Sequence, residues 1–109
     1  MKLKFNNYSR PEGARSSRPY FMWMVFVDEP PAVLATVAEV EYVLHPTFPQ
    51  PVQVKRDRDN KFALHSSGWG EFDIAIRVTY VDGRQEDTVH SLDLGKGWPQ
   101  QGQSASVST

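Results

Sequence analysis

Phe72-Asp73-Ile74-Ala75-Ile76-Arg77-Val78-Thr79-Tyr80-Val81 is the stretch that decides the fold. Phe72, Ile74, Ile76, Val78 and Tyr80 fall on one face of an extended chain, and Asp73, Ala75, Arg77 and Thr79 on the other. A period of two, apolar against polar, is the signature of a strand with one buried and one wet face. Asp82-Gly83 follows as a hairpin signal, so residues 88–94 are expected to return as the partner strand. Towards the N-terminus, residues 20–28 switch to aromatic and β-branched types, a second strong strand. Asp28-Glu29-Pro30-Pro31 ends it, because neither proline can donate to a ladder. Residues 33–41 allow a short helix by propensity. The alternation of Val40, Tyr42 and Leu44 with Glu39, Glu41 and Val43 favours a strand running through His45. Residues 52–56 and 62–65 are further short strands, separated by the charged turn Asp57-Arg58-Asp59-Asn60. No helix of convincing length appears. The expectation is an all-β, immunoglobulin-like sandwich of about seven to eight antiparallel strands.

With 109 residues the chain is one domain of ordinary size. Its formal net charge of −1 predicts no general nucleic-acid or membrane partner. The charge is unevenly spread: Lys2, Lys4, Arg10, Arg15 and Arg18 stand against Glu12 alone in residues 1–19, a net of +4, so the remaining ninety residues carry −5. Residues 1–19, broken by Pro11, Gly13 and Pro19, read as a basic arm that Phe5 and Tyr8 either anchor or pair as an edge strand. Residues 20–95 hold the sandwich, and 96–109, rich in Gln, Ser and Gly after Trp98, read as a disordered tail or linker. There is no cysteine, which removes disulfides and thiolate metal sites. The start MKLKFNNYSR lacks the apolar core of a signal peptide, and the longest apolar run, residues 20–27, is too short to span a bilayer as a helix. A soluble, cytoplasmic protein is expected, nuclear if the source is eukaryotic.

Two loop motifs carry the chemistry. Leu44-His45-Pro46-Thr47-Phe48-Pro49 and Ser67-Gly68-Trp69-Gly70-Glu71-Phe72 each end a strand and each set an aromatic ring beside small or hydrogen-bonding residues. At one end of a sandwich such loops can meet as a slot between two rings. Phe48 and Trp69 are the candidate walls and Thr47 the candidate hydroxyl. Gly68 and Gly70 leave the Trp69 backbone open to close approach. A planar neutral amide with an apolar tail suits such a slot.

The two motifs, in this order and with the strands around them, resemble the YEATS domain, a family of acyl-lysine readers; the resemblance covers residues 23–94. It implies a non-catalytic binding module without a cofactor, whose partner is an acylated-lysine peptide or protein of the acetyl or crotonyl type. It implies that His45 holds the hydroxyl side chain from the pocket floor and that Thr47 hydrogen-bonds the acyl amide. Phe48 and Trp69 would sandwich that amide, the Trp69 N–H would meet the acyl carbonyl, and Gly70 would shape the open far end. The N-terminal segment and Asp28-Glu29-Pro30-Pro31-Ala32-Val33-Leu34 are more similar to the prokaryotic branch of the family, which leaves a histone tail without special standing as partner.

Other readings have less behind them. His45, His65 and His90 lie on separate elements without a short ligand spacing, so no metal is expected. His90 reads as a packed histidine and Glu71 as a structural carboxylate. No nucleophile motif or phosphate loop suggests an enzyme. The alternative is an adaptor that binds through a sheet face, since Tyr20, Met22, Met24 and Phe26 oppose Phe21, Trp23, Val25 and Val27 and both faces are apolar. A weaker one is a carbohydrate-binding sandwich using Trp69 and Trp98.

Overall fold

The structure is a computed structural model that describes residues 3–15, 18–68, 70–95 and 97. Seven strands form two antiparallel sheets. In chain order they are β1 (Phe5–Arg15), β2 (Arg18–Val27), β3 (Val37–Val43), β4 (Val52–Lys55), β5 (Leu64–Gly68), β6 (Asp73–Tyr80) and β7 (Gln85–Ser91). One sheet runs β1-β2-β5 and the other β4-β3-β6-β7. The molecule is therefore the all-β, immunoglobulin-like sandwich that the alternation predicts.

The predicted periodicity is realised most fully in β6, where Ile74, Ile76, Val78 and Tyr80 are buried between exposed or half-exposed neighbours. Val40 and Tyr42 of β3 share that inner face, and Trp23, Val25 and Val27 of β2 meet them from the opposite sheet, all five at 0% exposure. Residues on both inner faces thus interdigitate as one core. After β6, Tyr80 N–H donates to Arg84 O at 2.8 Å across a turn in which Gly83 takes φ +92°, a backbone state glycine adopts without steric cost.

The structure departs from the expected pattern at four places. The segment read as an arm contains β1, which pairs with β2 from Phe5↔Val27 to Arg15↔Arg18, with a register shift between Pro11 and Ala14. Pro11 is tolerated there because β1 is the sheet's outer named strand and the ladder is already irregular. At the other end, Gly97 falls within the expected tail yet bridges to Ser9 in parallel; the rest of 98–109, Trp98 included, lies outside the described residues. One helical turn, α1 (Pro31–Leu34), precedes β3. Proline is well placed at a first helical position, where its missing N–H has no partner to lose. Finally, the strand expected from residue 62 starts at Leu64, because Lys61 and Phe62 are left-handed (φ 62° and 56°). That turn sends Phe62 wholly into the core and offers its carbonyl to the buried Tyr42 hydroxyl at 2.8 Å.

Each long side of the sandwich has its own character. Along the β1/β7 side, Asn7 is fully buried: its Nδ2 donates to Asp93 O at 2.9 Å, and its Oδ1 accepts from Asp93 N–H at 3.1 Å and lies 2.8 Å from His90 Nε2. Ser9 Oγ donates to Leu94 O at 2.7 Å. These bonds tie the chain leaving β7 across to β1. The outer face of β2 is partly covered as well: Phe26, 5% exposed, lies under Tyr8 (ring centroids 5.2 Å apart) and Lys61 Nζ (5.8 Å).

Candidate functional site

The two loop motifs meet at one end of the sandwich. Leu44 N–H donates to Pro51 O at 2.6 Å, closing the loop after β3 at its base. Inside it, Phe48 N–H donates to His45 O at 3.0 Å, a tight turn, and Pro46, Pro49 and Pro51 limit its backbone freedom. The second motif leaves β5 at Gly68 and enters β6 at Asp73. Between them lies a cavity of about 490 Å³. Five of the six residues singled out from the sequence line it: His45, Thr47, Phe48, Gly68 and Gly70. The sixth, Trp69, lies outside the described residues.

The histidine and the hydroxyl form a unit. His45 Nδ1 is 2.9 Å from Thr47 Oγ1 and accepts the Thr47 backbone N–H at 3.3 Å. With Nδ1 acting as acceptor towards the backbone, the tautomer carries its proton on Nε2, and the Thr47 hydroxyl also donates to Nδ1. The Thr47 oxygen then keeps its lone pairs for an incoming N–H. Both side chains are exposed to solvent, so they stand ready at the surface.

Phe48 is half-buried and braced from beneath. Its ring lies 5.3 Å from that of Phe72 at 46° and 6.4 Å from that of Trp23 at 77°. Phe72 in turn meets Trp23 edge-on at 6.0 Å and 70°, and His45 at 6.4 Å and 75°. Aromatic pairs prefer such tilted and edge-to-face geometry. Trp23, 0% exposed, is the footing of this cluster, and its Nε1 has no partner among the described residues.

The glycines have a plain steric role. A Cβ at Gly68 would stand 3.8 Å from Phe48 Cζ, an ordinary contact, and a Cβ at Gly70 would meet nothing within 4 Å. Neither position has the positive φ of Gly83. Gly70 lines the cavity, and the space beside its Cα is open.

The lining also includes Pro49, Ser67, Glu71 and Phe72 from the two motifs, given no ligand role from the sequence, and Tyr20, which lies outside both motifs. The Tyr20 hydroxyl is 2.8 Å from Ser67 Oγ. Tyr20 opens the apolar run of β2 and Phe72 opens the alternation of β6, so both signals read as strand starts rather than as pocket walls. Glu71, read as structural, lines the cavity and accepts the Leu94 N–H at 2.9 Å. His90, read as packed, is half-buried against Asn7. Among the described residues no group of three or more His, Asp or Glu could hold a metal ion.

Known proteins resemble this chain in sequence and in fold. The sequence model of the prokaryotic YEATS domain matches residues 21–93. Protein AF-9 homolog of Candida glabrata is 32% identical over 84 residues, which is 75% of this chain and 37% of that protein. The homolog of Eremothecium gossypii is 37% identical over 79 residues, 71% of this chain and 36% of that protein. The chain thus spans little more than a third of the length of these curated relatives. Among solved structures, the Yaf9 YEATS domain recognizing a succinylated H3 peptide superposes with a TM-score of 0.67 at 27% identity, covering 86% of this chain and 78% of that one. The Yaf9 YEATS domain bound to an acetylated H3 peptide gives 0.62 at 26% identity, with 86% and 76% covered. With the family match running over most of the sandwich and both loop motifs, this chain belongs to the prokaryotic YEATS domain family.

Proposed function

We propose that this domain is a reader of acylated lysine, of the acetyl or crotonyl type, and that the amide enters the slot at the loop end of the sandwich. The observation that carries the reading is Thr47 Oγ1, held by His45 Nδ1 at 2.9 Å, on the wall of a cavity that Phe48 also lines. In this reading the lysine amide N–H donates to Thr47 Oγ1 and the amide plane lies against the Phe48 ring. Trp69 supplies the opposing ring and, through its backbone N–H, the donor for the acyl carbonyl. Gly70 keeps the far end open to the acyl tail. A cavity of about 490 Å³ is within the usual range for small-ligand sites, about 300–1,000 Å³. A cationic lysine is disfavoured because it would lose its hydration without a planar group to stack. The likeness to Yaf9 structures that hold acylated H3 peptides supports the ligand class.

The expected affinity is modest. A stacked ring contributes about 0.5–1.5 kcal/mol beyond area burial, and a net hydrogen bond about as much. Two of each, less the cost of association, support binding on the order of micromolar or weaker. The test is a fluorescence or NMR titration of the domain with acetyl-lysine, crotonyl-lysine and unmodified peptides. Saturable binding of the acylated peptides alone, lost in Phe48→Ala while the far-UV spectrum and unfolding transition persist, is the expected result. Equal binding by Phe48→Ala and the parent would sink the reading.

A further inference from the structure

A second recess, about 280 Å³, opens beside the slot on the β4/β5 side of the sandwich and shares Phe48 and Pro49 with it. Its chemistry differs. In β4 the usual pattern is inverted: Val52 and Val54 are exposed (55% and 37%), whereas Gln53 and Lys55 are half-buried. The register explains why, since Gln53 pairs with Tyr42 and Lys55 with Val40, both core residues of β3. The Gln53 and Lys55 side chains therefore leave the backbone on the inner side of the sheet, at the opening between the two edge strands, and the Gln53 amide donates to Gln50 O at 2.9 Å. Across the opening, β5 contributes His65 and Ser66. No carboxylate lines the recess among the described residues, and Lys55 enters no ion pair there. The nearby Glu39 is engaged by Arg56 at 3.1 Å.

We infer that this recess takes a carboxylate of the partner, an acidic side chain within a few residues of the acylated lysine, with Lys55 as the cation that selects it. The inference rests on the slot being the acyl-lysine site. Lys55 is half-buried as a residue and its ammonium has no ion-pair partner among the described residues, so an incoming carboxylate meets an unshared cation at the rim of the recess. The shared Phe48-Pro49 wall sets the two sites side by side, so one extended peptide can reach both. The chemistry selects an acidic flank and disfavours the lysine- and arginine-rich flanks of a basic tail. An inward lysine on an edge strand also discourages strand-on-strand pairing. That role alone predicts no dependence on ligand charge, so binding separates the two.

The test uses the 109-residue chain and peptides with one central crotonyl-lysine. One set has neutral flanks; another carries a single glutamate placed in turn at each nearby position on either side; a third carries lysine at the same places. At least one glutamate register is expected to bind about three- to fivefold tighter than the neutral peptide, as a partly exposed ion pair would give, and the gain shrinks at high salt. Lys55→Gln removes the gain and leaves the neutral peptide unchanged; Lys55→Glu reverses the preference towards the lysine set. Equal affinity of the glutamate and neutral sets for the native chain overturns the inference, as does a Lys55→Gln that weakens both sets alike. If no crotonyl peptide binds, the slot reading fails, and the recess is judged separately by NMR with the unacylated glutamate peptide at millimolar concentration. Shifts at the Gln53 and Lys55 amides that vanish in Lys55→Gln then support it, and their absence overturns it.

Discussion

The two long sides of this sandwich solve the same problem in opposite ways. On the β1/β7 side, Asn7 and Ser9 bond with Asp93, Leu94 and His90, and Gly97 bridges on to Ser9, so the sheets are laced together. On the β4/β5 side, two short edge strands leave a recess lined by Gln53, Lys55, His65 and Ser66, and the cavity proposed as the acyl-lysine slot adjoins it through Phe48 and Pro49. Buried polar groups are costly unless satisfied, and then they fix one arrangement. The laced side spends its polar groups on itself; the open side keeps Thr47 and Lys55 for something else. On the proposed reading, stability and recognition occupy opposite sides of one core, with the Trp23 and Phe48 rings in edge contact between them.

If that division holds, Asn7→Ala has the largest effect on stability. It removes two hydrogen bonds to the Asp93 backbone and one to His90 from a fully buried position, so a loss of about 2–4 kcal/mol is expected in urea unfolding. Below the new transition, acyl-peptide affinity is expected to be unchanged. A variant that keeps its stability but loses the ligand would break the comparison.

Tyr42→Phe asks how the open side is anchored. The Tyr42 hydroxyl holds Phe62 O, in the turn that delivers β5, at 2.8 Å, and its removal is expected to cost about 1–3 kcal/mol. The same group makes the domain alkali-sensitive. Burial raises the Tyr42 phenol above its ordinary value. Burial, followed by the bond to Glu86, pushes Tyr80 up to about 12. Both folded values exceed the unfolded value of about 10. Their contribution is therefore complete below about pH 10; that of Tyr80 is lost as pH rises through about 12, and that of Tyr42 falls away progressively above pH 10. Equilibrium unfolding across this range should show the fall, and Tyr42→Phe should show a shallower one.

Thr47→Val sharpens the comparison from the other side. The hydroxyl is exposed and its only described side-chain partner is His45, so stability should move by no more than about 0.5 kcal/mol. Binding of acetyl-lysine peptide should weaken about five- to tenfold, the worth of one hydrogen bond with its acceptor removed. Unchanged affinity would take Thr47 out of the slot's chemistry.

Sequence alternation reveals the laced side less well than the open one, for a physical reason. In β1 the buried positions include Asn7 and Ser9, so the strand lacks the apolar beat of β6, and Pro11 interrupts it further. From the sequence it reads as a basic arm whose first residues either anchor or pair as an edge strand; the pairing is what forms, and it extends to Arg15. Phe62 misleads in another way: a left-handed backbone at an aromatic residue leaves no compositional mark, so the start of β5 is read two residues early. The slot is legible because its key groups sit in two short motifs with local logic, the His45–Thr47 bond spanning only two positions. Ser67 and Phe72 stand at the two ends of the second motif, whereas Tyr20 joins the slot through the pairing of β2 with β5, and such long-range packing has no local signature. The inversion in Val52-Gln53-Val54-Lys55 is visible as alternation, but which pair faces inward follows only from the register with β3.

The most direct measurement of the central claim is an NMR map of amide shifts as crotonyl-lysine peptide is added to the labelled domain. The account predicts saturable shifts at Thr47, Phe48, Gly68 and Gly70, with Asn7, Ser9 and Asp93 silent, and no such pattern with the unmodified peptide. Shifts centred on β1 and β7 instead, or the same slot shifts from unmodified lysine, would contradict it.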